Sequence, residues 1–188
     1  RPGDIKYKDL NHDGVIDSND QAPIGYNPVP EMTFSLAAGL NWKGIDFSIL
    51  LQGAARSSIY LQQDIAWDNF WGNYYEEHIG RWTPETAATA TYPRFTKAAT
   101  AAHPNYYKSD YWLKDSKYLR LKNIQLGYTI PRKLLKKFGV RSLRVYANAY
   151  NLFTWDNVKK VDPESSNNSN GQFYPQQKVI NFGINLNF

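Results

Sequence analysis

The chain has 188 residues, of which 22 are Lys or Arg and 17 are Asp or Glu, so its net charge is +5. It contains no cysteine, which excludes a disulfide framework and a thiolate metal site. No apolar run approaches the roughly 18 residues that a membrane-spanning helix requires, so helical spans are excluded, whereas spanning β-strands are not. Arg1 is not an initiator and Met32 is the single Met, so we interpret the chain as the C-terminal piece of a longer protein.

Residues 1–31 are predicted to form a polar loop with a calcium-binding pattern. Oxygen-bearing side chains stand at alternate positions from Asp9 to Asp13, and Gly14 stands at the sharp turn. The predicted ligands are Asp9, Asn11, Asp13, Val15 through its carbonyl, Asp17 and Asp20. Hard oxygen ligands favour Ca²⁺, but Asp20 stands where Glu is usual, which makes bidentate ligation weaker. We therefore predict a structural Ca²⁺ ion, with a metal-free turn rich in Asp and Asn as the alternative.

Residues 32–54 are predicted to form a β-hairpin. Apolar side chains alternate with small or polar ones from Met32 to Trp42, and the alternation resumes at Ile45. Lys43 and Gly44, between the two runs, are typical of a two-residue turn.

The segment 55–116 has no clear strand periodicity but is rich in aromatic residues. Rings at this density are costly to expose, so they pack on one another, on a partner or on a ligand such as a sugar ring. Internal or partner packing is favoured, because a loop of about sixty residues needs a core of its own to stay ordered. The candidate substrate-binding or partner-binding residues are Trp67, Phe70, Trp71, Tyr74, Tyr75, Trp82, Tyr106, Tyr107 and Trp112.

Residues 117–153 are predicted to form two strands joined by a short turn. Ile124, Leu126 and Tyr128 share one face of the first strand, and Pro131 ends it because proline lacks the donor for the strand ladder. The turn that follows concentrates basic residues between 132 and 144. This favours a solvated turn beside a membrane over a nucleic-acid-binding patch, so we predict no nucleic-acid partner.

Residues 154–178 are predicted to be a long polar loop before the terminal strand, 179–188. That strand alternates apolar and polar residues without an error and ends on Phe188, as expected of a wall between lipid and a wet lumen. We interpret its apolar side chains as a barrel-assembly signal: Phe182, Ile184, Leu186 and Phe188. Aromatic residues near strand ends are candidates for an interfacial girdle: Trp42, Tyr128, Tyr146 and Trp155.

The connections between the five predicted strands are short, long, short and long in turn. This asymmetry is typical of outer-membrane barrels, which have short periplasmic turns and long extracellular loops. It makes 1–31, 55–116 and 154–178 extracellular and the turn within 117–153 periplasmic. The predicted fold is therefore all-β, and because five strands cannot close a barrel, further strands must come from elsewhere.

We predict no catalytic residues and no enzyme activity. The three histidines, His12, His78 and His103, have no Ser, Cys or metal-ligand partner at a recognisable spacing. The competing class is a secreted, calcium-stabilised β-sandwich that binds carbohydrate. It explains the aromatic residues and the calcium pattern, but not the terminal Phe or the alternating connection lengths.

A series of short motifs runs in order along nearly the whole chain. The motifs are Gly3-Asp4-Ile5-Lys6-Tyr7, Pro23-Ile24-Gly25, Arg81-Trp82-Thr83-Pro84-Glu85, Tyr92-Pro93-Arg94, Ser109-Asp110-Tyr111-Trp112-Leu113, Tyr118-Leu119-Arg120-Leu121-Lys122-Asn123, Leu126-Gly127-Tyr128-Thr129-Ile130-Pro131, Asn151-Leu152-Phe153-Thr154-Trp155, Asp162-Pro163-Glu164, Tyr174-Pro175 and Phe188. Together and in this order they resemble the C-terminal end of SusC/RagA-type TonB-dependent outer-membrane transporters of Bacteroidetes. His12, where this family more often has Gly, and Lys178, where it often has Arg, depart from the pattern.

The resemblance implies that the chain supplies the last five strands of a barrel of about 22 strands with a plugged lumen. It implies import of glycan oligosaccharides, or of peptides, across the outer membrane with energy delivered through TonB to a plug in the missing N-terminal part. It also implies a SusD-like surface lipoprotein over the extracellular loops and a dimer of transporter and lipoprotein pairs. The calcium-like loop and the aromatic segment would then meet the lipoprotein or the substrate.

Overall fold

The computed structural model describes residues 1–97, 100–159, 161–165 and 174–188. The chain forms two compact units, one containing Arg1–Pro28 and Ser58–Asp115, the other containing Val29–Ser57, Ser116–Glu164 and Tyr174–Phe188. Part of the predicted loop 154–178, and residues 98 and 99 of the predicted loop 55–116, lie outside the described residues. Within the described part of the chain, no helix is long and apolar enough to cross a membrane.

The second unit is built on a five-stranded antiparallel sheet. Its strands, numbered with those of the other unit in chain order, are β1 (Met32–Trp42), β2 (Ile45–Ala55), β5 (Tyr118–Thr129), β6 (Ser142–Asp156) and β7 (Val179–Asn187). They pair in the order β1, β2, β5, β6, β7, so each strand lies beside its neighbour in sequence among these five. This arrangement confirms the predicted all-β antiparallel fold. The sheet is not closed, and β1 and β7 are its edges.

The register of the sheet places rows of apolar side chains on one side and rows of polar side chains on the other, which defines two faces. Directly paired residues point to the same side, so cross-strand partners form rows. One such row is Ala38, Ile49, Ile124, Ala149 and Ile180, and the next is Leu40, Phe47, Leu126, Ala147 and Phe182. Rows of the opposite face are polar, for example Gly39, Ser48, Gln125, Asn148 and Asn181. We call these the apolar face and the polar face.

Tight connections join the strands at one end of the sheet. Lys43 and Gly44 connect β1 to β2 with φ angles of 48° and 89°, as a two-residue hairpin turn requires. The basic turn after β5 contains a single helical turn, α1 (Arg132–Leu135), followed by a 3-10 turn, Lys136–Phe138. The strand ends opposite these connections lead into the long segments.

The first unit has little regular structure. It contains a two-stranded antiparallel sheet of β3 (Ser58–Tyr60) and β4 (Leu113–Asp115) and 3-10 turns at Gln63–Ile65, Glu76–Gly80 and Pro104–Tyr106. The two short strands were not predicted from the sequence, because three residues are too few to show a period of two. They close the base of the segment 58–115, so the aromatic segment is an ordered unit with its own core.

Candidate functional site

Three of the nine predicted aromatic contact residues form the core of the first unit. Trp67, Tyr106 and Trp112 are almost fully buried, and the Trp67 and Tyr106 rings lie 4.7 Å apart between centroids. The Trp112 indole N–H donates to the Asn105 carbonyl at 2.8 Å. Burial removes these three rings from direct contact with a ligand, so they hold the loop in shape. This agrees with the sequence argument that a loop of this length must build its own core.

A buried carboxylate anchors that core. The side chain of Asp68 accepts a hydrogen bond from the Tyr106 hydroxyl and another, at 3.0 Å, from the Thr96 N–H. The Asp68 N–H donates at 3.0 Å to the Tyr92 hydroxyl, which in turn donates to the Ala66 carbonyl at 2.8 Å. Burial, followed by the nearby Asp68 charge, raises the pKa of Tyr92, so this hydroxyl stays protonated as a donor. Nothing in the sequence pattern distinguished Asp68 from a surface residue.

His78 is also a structural residue in this unit. Its ring is buried among Tyr75, Tyr92 and Phe95, with the Tyr92 ring 4.6 Å away. Nδ1 accepts the Tyr75 N–H at 3.0 Å, so in the neutral ring the proton lies on Nε2, which donates to the Ala66 carbonyl at 3.2 Å. Both nitrogens are therefore engaged with backbone groups.

The remaining predicted contact residues lie at or near the surface of the first unit. Trp71 is 83% exposed at the tip of a tight turn in which Phe70 and Asn73 form an isolated bridge. Tyr74, Tyr75 and Tyr107 are exposed, whereas Phe70 and Trp82 are half-buried. The predicted contact residues with exposed rings are therefore Trp71, Tyr74, Tyr75 and Tyr107, and the first three lie close in sequence to polar residues such as Asn73 and Glu76.

The segment before the calcium-like loop is fixed to the same unit. The Asp4 carboxylate lies 2.7 Å from Nε of Arg94, and the Asn105 side chain donates to Asp4 at 3.0 Å. Asn105, which is fully buried, also accepts the Ile5 N–H at 2.9 Å. The sequence placed residues 1–31 and 55–116 in separate loops, whereas residues 1–28 and 58–115 share one compact unit.

The predicted calcium ligands lie together in an exposed loop whose carboxylates accept backbone N–H groups. Asp9 accepts from His12 at 2.6 Å and from Gly14 at 2.9 Å, and Asp13 accepts from Val15 at 2.8 Å. Asp20 closes the loop by accepting the Leu10 N–H at 2.7 Å. Among the described residues, no three His, Cys, Asp or Glu side chains converge as a metal would require. The residue types and their spacing along the sequence fit Ca²⁺, and the ion itself stays a prediction.

The closing interaction by Asp20 depends on its charge. The backbone N–H groups of Asp17 and then Leu10 lower the pKa of Asp20 below the ordinary value of 3.8. A carboxyl whose pKa is lowered in the folded state stabilises that state above its ordinary pKa and loses this effect as the pH falls through the lowered value. We therefore expect the protection of the loop amides, measured relative to their intrinsic exchange rates at each pH, to decrease as the pH falls below about 3.8.

The predicted barrel-assembly residues lie on the apolar face of the edge strand β7 or at its end. Phe182 is 82% exposed, and Ile184, Leu186 and Phe188 are exposed as well. Trp42, Tyr128 and Trp155 also lie in apolar rows near strand ends, which suits an interfacial girdle. Tyr146 does not, because it pairs with Gly127 and Gly183 in a polar row. The girdle prediction is therefore wrong for Tyr146.

Tyr106 and Tyr107 offer a matched pair to test the buried network. Tyr106→Phe removes the hydroxyl donated to buried Asp68, so we expect a loss of about 1 to 3 kcal/mol in the local stability of residues 58–115. Tyr107→Phe removes an exposed hydroxyl that donates to the Ala102 carbonyl at 3.3 Å and is expected to change stability by less than about 0.5 kcal/mol. Hydrogen exchange of this segment in the full-length protein measures both. Equal losses in the two variants would contradict the anchoring role of Asp68.

The fold of the chain, an antiparallel sheet with one exposed apolar face and one polar face, is similar to part of solved transporter structures. In the RagAB peptide importer, in its open-open state, the matching region has a TM-score of 0.67 and 24% identity and covers 93% of this chain and 19% of that one. A second RagAB peptide transporter structure matches with a TM-score of 0.64 and 23% identity over 93% of this chain and 20% of that one.

Sequence relatives point to the same class. TonB-dependent receptor P26 of Formosa agariphila is 30% identical over 203 residues, covering 99% of this chain and 20% of that protein. TonB-dependent receptor SusC of Bacteroides thetaiotaomicron is 26% identical over 190 residues, covering 100% of this chain and 18% of that protein. No protein-family model matches. The chain thus spans about a fifth of the length of these relatives, and its predicted resemblance to SusC/RagA-type TonB-dependent transporters is confirmed.

Proposed function

We propose that the full-length protein imports glycan oligosaccharides across the outer membrane, with energy supplied through TonB and with a SusD-like lipoprotein at the cell surface. The observation that carries this proposal is the exposed apolar face of the sheet. In β7 the side chains of Phe182 and Ile184 lie on one side and those of Asn181 and Asn185 on the other. This arrangement suits a wall between lipid and a wet lumen. Relatives named as TonB-dependent receptors, none of them as an enzyme, support the same assignment.

The dimensions of the apolar face suit a barrel wall. From Phe34 to Trp42 the face spans nine residues, whose eight intervals extend roughly 26 Å along the strand. At a tilt of about 40° this corresponds to a height of roughly 20 Å, close to the apolar band of about 25 Å of outer-membrane barrels. The sheet has two unpaired edges, so the proposal requires further strands of the full-length protein to close the barrel.

The exposed rings of the first unit favour oligosaccharides as the substrate class. Trp71, Tyr74 and Tyr75 present planar apolar faces next to amide and carboxylate groups, a combination that stacks on sugar rings and binds their hydroxyls. If this surface does not bind substrate, it contacts the lipoprotein. The assembly is then a dimer of two transporter–lipoprotein pairs. Peptide substrates stay the second candidate, since the structural neighbour RagAB is a peptide importer.

The alternative of a secreted β-sandwich is disfavoured by packing. A sandwich buries the inner faces of two sheets against each other. Here Leu36, Leu40 and Phe182 are exposed on the one large sheet of the described residues. Such a surface in water would be an aggregation hazard, whereas in a bilayer it is the required exterior.

The proposal is tested on the full-length protein in its own outer membrane. Affinity purification in detergent is expected to recover a surface lipoprotein with the transporter, and native mass spectrometry to give two copies of each. Uptake of labelled oligosaccharides is expected to stop when the gene for TonB is deleted. Recovery of a soluble protein without a lipoprotein, or uptake that does not depend on TonB, would overturn the proposal. Labelled peptides in the same assay decide between the two substrate classes.

We also propose that the loop from Asp9 to Asp20 binds Ca²⁺ and is made rigid by it. Replacing Asp9 and Asp13 by Ala removes two ligands and the acceptors for His12, Gly14 and Val15. We expect Ca²⁺ to slow proteolysis within residues 1–31 of the full-length protein at least tenfold, and this protection to disappear in the double variant. Asp110→Ala, which removes an exposed carboxylate outside the loop, serves as the control. Protection that is absent in the wild type would argue for a metal-free turn.

A further inference from the structure

The apolar face carries a groove at the strand ends that lead into the long segments. The groove has a volume of about 600 Å³, which is within the range of roughly 300 to 1,000 Å³ typical of ligand sites. We infer that it binds a phosphorylated glycolipid of the outer leaflet, with an acyl chain between Phe34 and Trp155 and a phosphate at Lys117 and Lys159. The inference rests on the proposed function, because it requires the apolar face to contact a bilayer.

The register of the sheet builds the walls of this groove. Phe34 pairs with Gly53, Gly53 with Leu119, and Leu119 with Trp155, so these four residues form one apolar row. The Phe34 ring covers Gly53, where an added Cβ would lie 2.4 Å from it. Phe34 and Trp155 are both about half exposed and stand on either side of the smaller Leu119. A flexible alkyl chain fits between two such rings.

Two lysines supply positive charge at the rim of the groove. Lys117 and Lys159 line it and are exposed, and their long alkyl stems allow the ammonium groups to reach a head group above the apolar walls. Asp156 also lines the groove, but Oδ1 of its carboxylate accepts the N–H groups of Val158 and Lys159 at 2.9 and 2.8 Å. The carboxylate keeps its charge, so Lys117, Lys159 and Asp156 together give the rim a net charge of +1, which favours an anionic head group, and the apolar walls suit a hydrocarbon tail.

The position of the groove selects the leaflet. It lies at the ends of β1, β2, β5 and β6 that lead into the long segments, opposite the tight Lys43-Gly44 turn. In outer-membrane barrels the long loops are extracellular. The outer leaflet of such a membrane consists of a glycolipid whose lipid A moiety combines acyl chains with phosphate on a sugar. This favours lipid A over a phospholipid of the inner leaflet.

Lipid retention by the full-length protein tests the inference. The protein is reconstituted in phosphatidylcholine nanodiscs that contain phosphorylated lipid A, and bound lipid A is counted by native mass spectrometry. A double variant, Lys117→Gln with Lys159→Gln, is expected to retain lipid A about 25-fold more weakly, since each cation near an anionic lipid contributes roughly fivefold. The control double variant, Lys133→Gln with Lys137→Gln, removes the same charge from the basic turn at the other end of the sheet and is expected to change retention less than twofold.

Two further measurements distinguish lipid A from other lipids and test the apolar wall of the groove separately from its charge. Dephosphorylated lipid A and phosphatidylglycerol are each expected to be retained at least tenfold more weakly than phosphorylated lipid A. Trp155→Leu, which keeps every charge, is expected to weaken the retention of lipid A because it removes one apolar wall of the groove. Equal retention of dephosphorylated lipid A, or an unchanged result in the lysine variant, overturns the inference. If uptake and outer-membrane location persist in that case, only the lipid inference is wrong and the proposed function stands. If the protein does not fractionate with outer membranes, both the inference and the proposed function are wrong.

Discussion

Ile184→Arg is expected to reduce assembly of the full-length barrel far more than Asn185→Arg. Ile184 lies in an apolar row with Val145, and its side chain is 70% exposed on the edge strand β7. Ile184 is next to the middle residue of β7 (Val179–Asn187), and near the centre of a bilayer an arginine on the lipid face costs about 2 to 4 kcal/mol, less toward the interfaces. Asn185 pairs with Arg144 on the polar face, where an added guanidinium meets water, so its replacement is expected to cost less than about 1 kcal/mol.

The measurement is the folded yield in native outer membranes, read from the shift in electrophoretic mobility that separates folded from heat-denatured barrels. The two variants introduce the same residue at adjacent positions of one strand, so they differ only in the face that receives it. A loss of yield that is the same for both would show that the two faces have been assigned wrongly. A larger loss for Asn185→Arg would mean that the polar face contacts lipid and the apolar face contacts the lumen.

The polar face has its own packing between strands. The Tyr146 ring lies over Gly183 of the neighbouring strand, where an added Cβ would be 2.3 Å from the ring. Beside it, Arg144 donates to Asp46 through Nε at 2.8 Å and through Nη2 at 2.5 Å, above Gly127. Glycine thus leaves room for large polar side chains from adjacent strands, a known device for pinning register.

Strand position and face were predictable wherever the period of two was unbroken. In β7 every apolar residue from Ile180 to Leu186 falls on one face, as the sequence pattern predicts. β1 and β2 follow the pattern except for Ala37, Leu50 and Ala54, which pair in rows of the opposite face. The predicted strand ends differ from the observed ones by one residue in β2 and three in β6, which extends to Asp156. Short-range alternation is sufficient in these strands because side chains point to opposite sides in strict succession.

The face of the first residues of β5 could not be predicted, because a bulge shifts the phase of this strand. Counting back by twos from Ile124 assigns Lys122 and Arg120 to the apolar face. The pairing shifts between Leu121 and Asn123, so Leu121 joins the apolar row and Arg120 the polar one. A bulge adds a residue to one strand without a reliable sequence signal. The face of Arg120 was therefore a structural result.

The site in the first unit was predictable in outline only. The density of rings between Trp67 and Trp112 indicated an internal core, but it could not say that Trp67 is buried while Trp71 is exposed. That division depends on Asp68 and on the short pairing of β3 with β4, which are long-range contacts. The periodicity of a sequence reflects only local structure, so it does not reveal such long-range contacts.

The largest destabilisation is expected from Arg120→Met. Arg120 is almost fully buried on the polar face and bonds to β6 through Nε, which donates to the Thr154 hydroxyl at 3.0 Å. Its Nη2 donates to Asp162 at 2.7 Å, and its Nη1 lies 3.3 Å from the Glu164 carboxylate. The Asp162 side chain is 9% exposed, so removal of the guanidinium leaves a nearly buried charge without its cation. Breaking a buried pair in this way costs about 3 to 5 kcal/mol.

Arg120 therefore connects the barrel wall to both described ends of the loop that precedes β7. Asp162 accepts the Glu164 N–H at 3.0 Å and, across the loop, the Gln176 N–H at 3.4 Å. In Arg120→Met we expect hydrogen exchange to accelerate in residues 161–165 and 174–178 together, with a lower unfolding temperature of the full-length protein in detergent.

Lys122→Met is the matched control for this prediction. Lys122 lies 3.5 Å from the same Glu164 carboxylate, but its side chain is 28% exposed and its ion pair is screened by solvent, so its loss is expected to cost less than about 1 kcal/mol. Equal effects of the two substitutions would mean that the loop is held by surface charge and not by the buried guanidinium. Faster exchange confined to residues 161–165 would mean that the link through Asp162 to Gln176 does not hold the returning segment. That segment would then depend on its other contacts, such as the hydrogen bond that Lys122 donates to the Gln176 side chain at 3.1 Å.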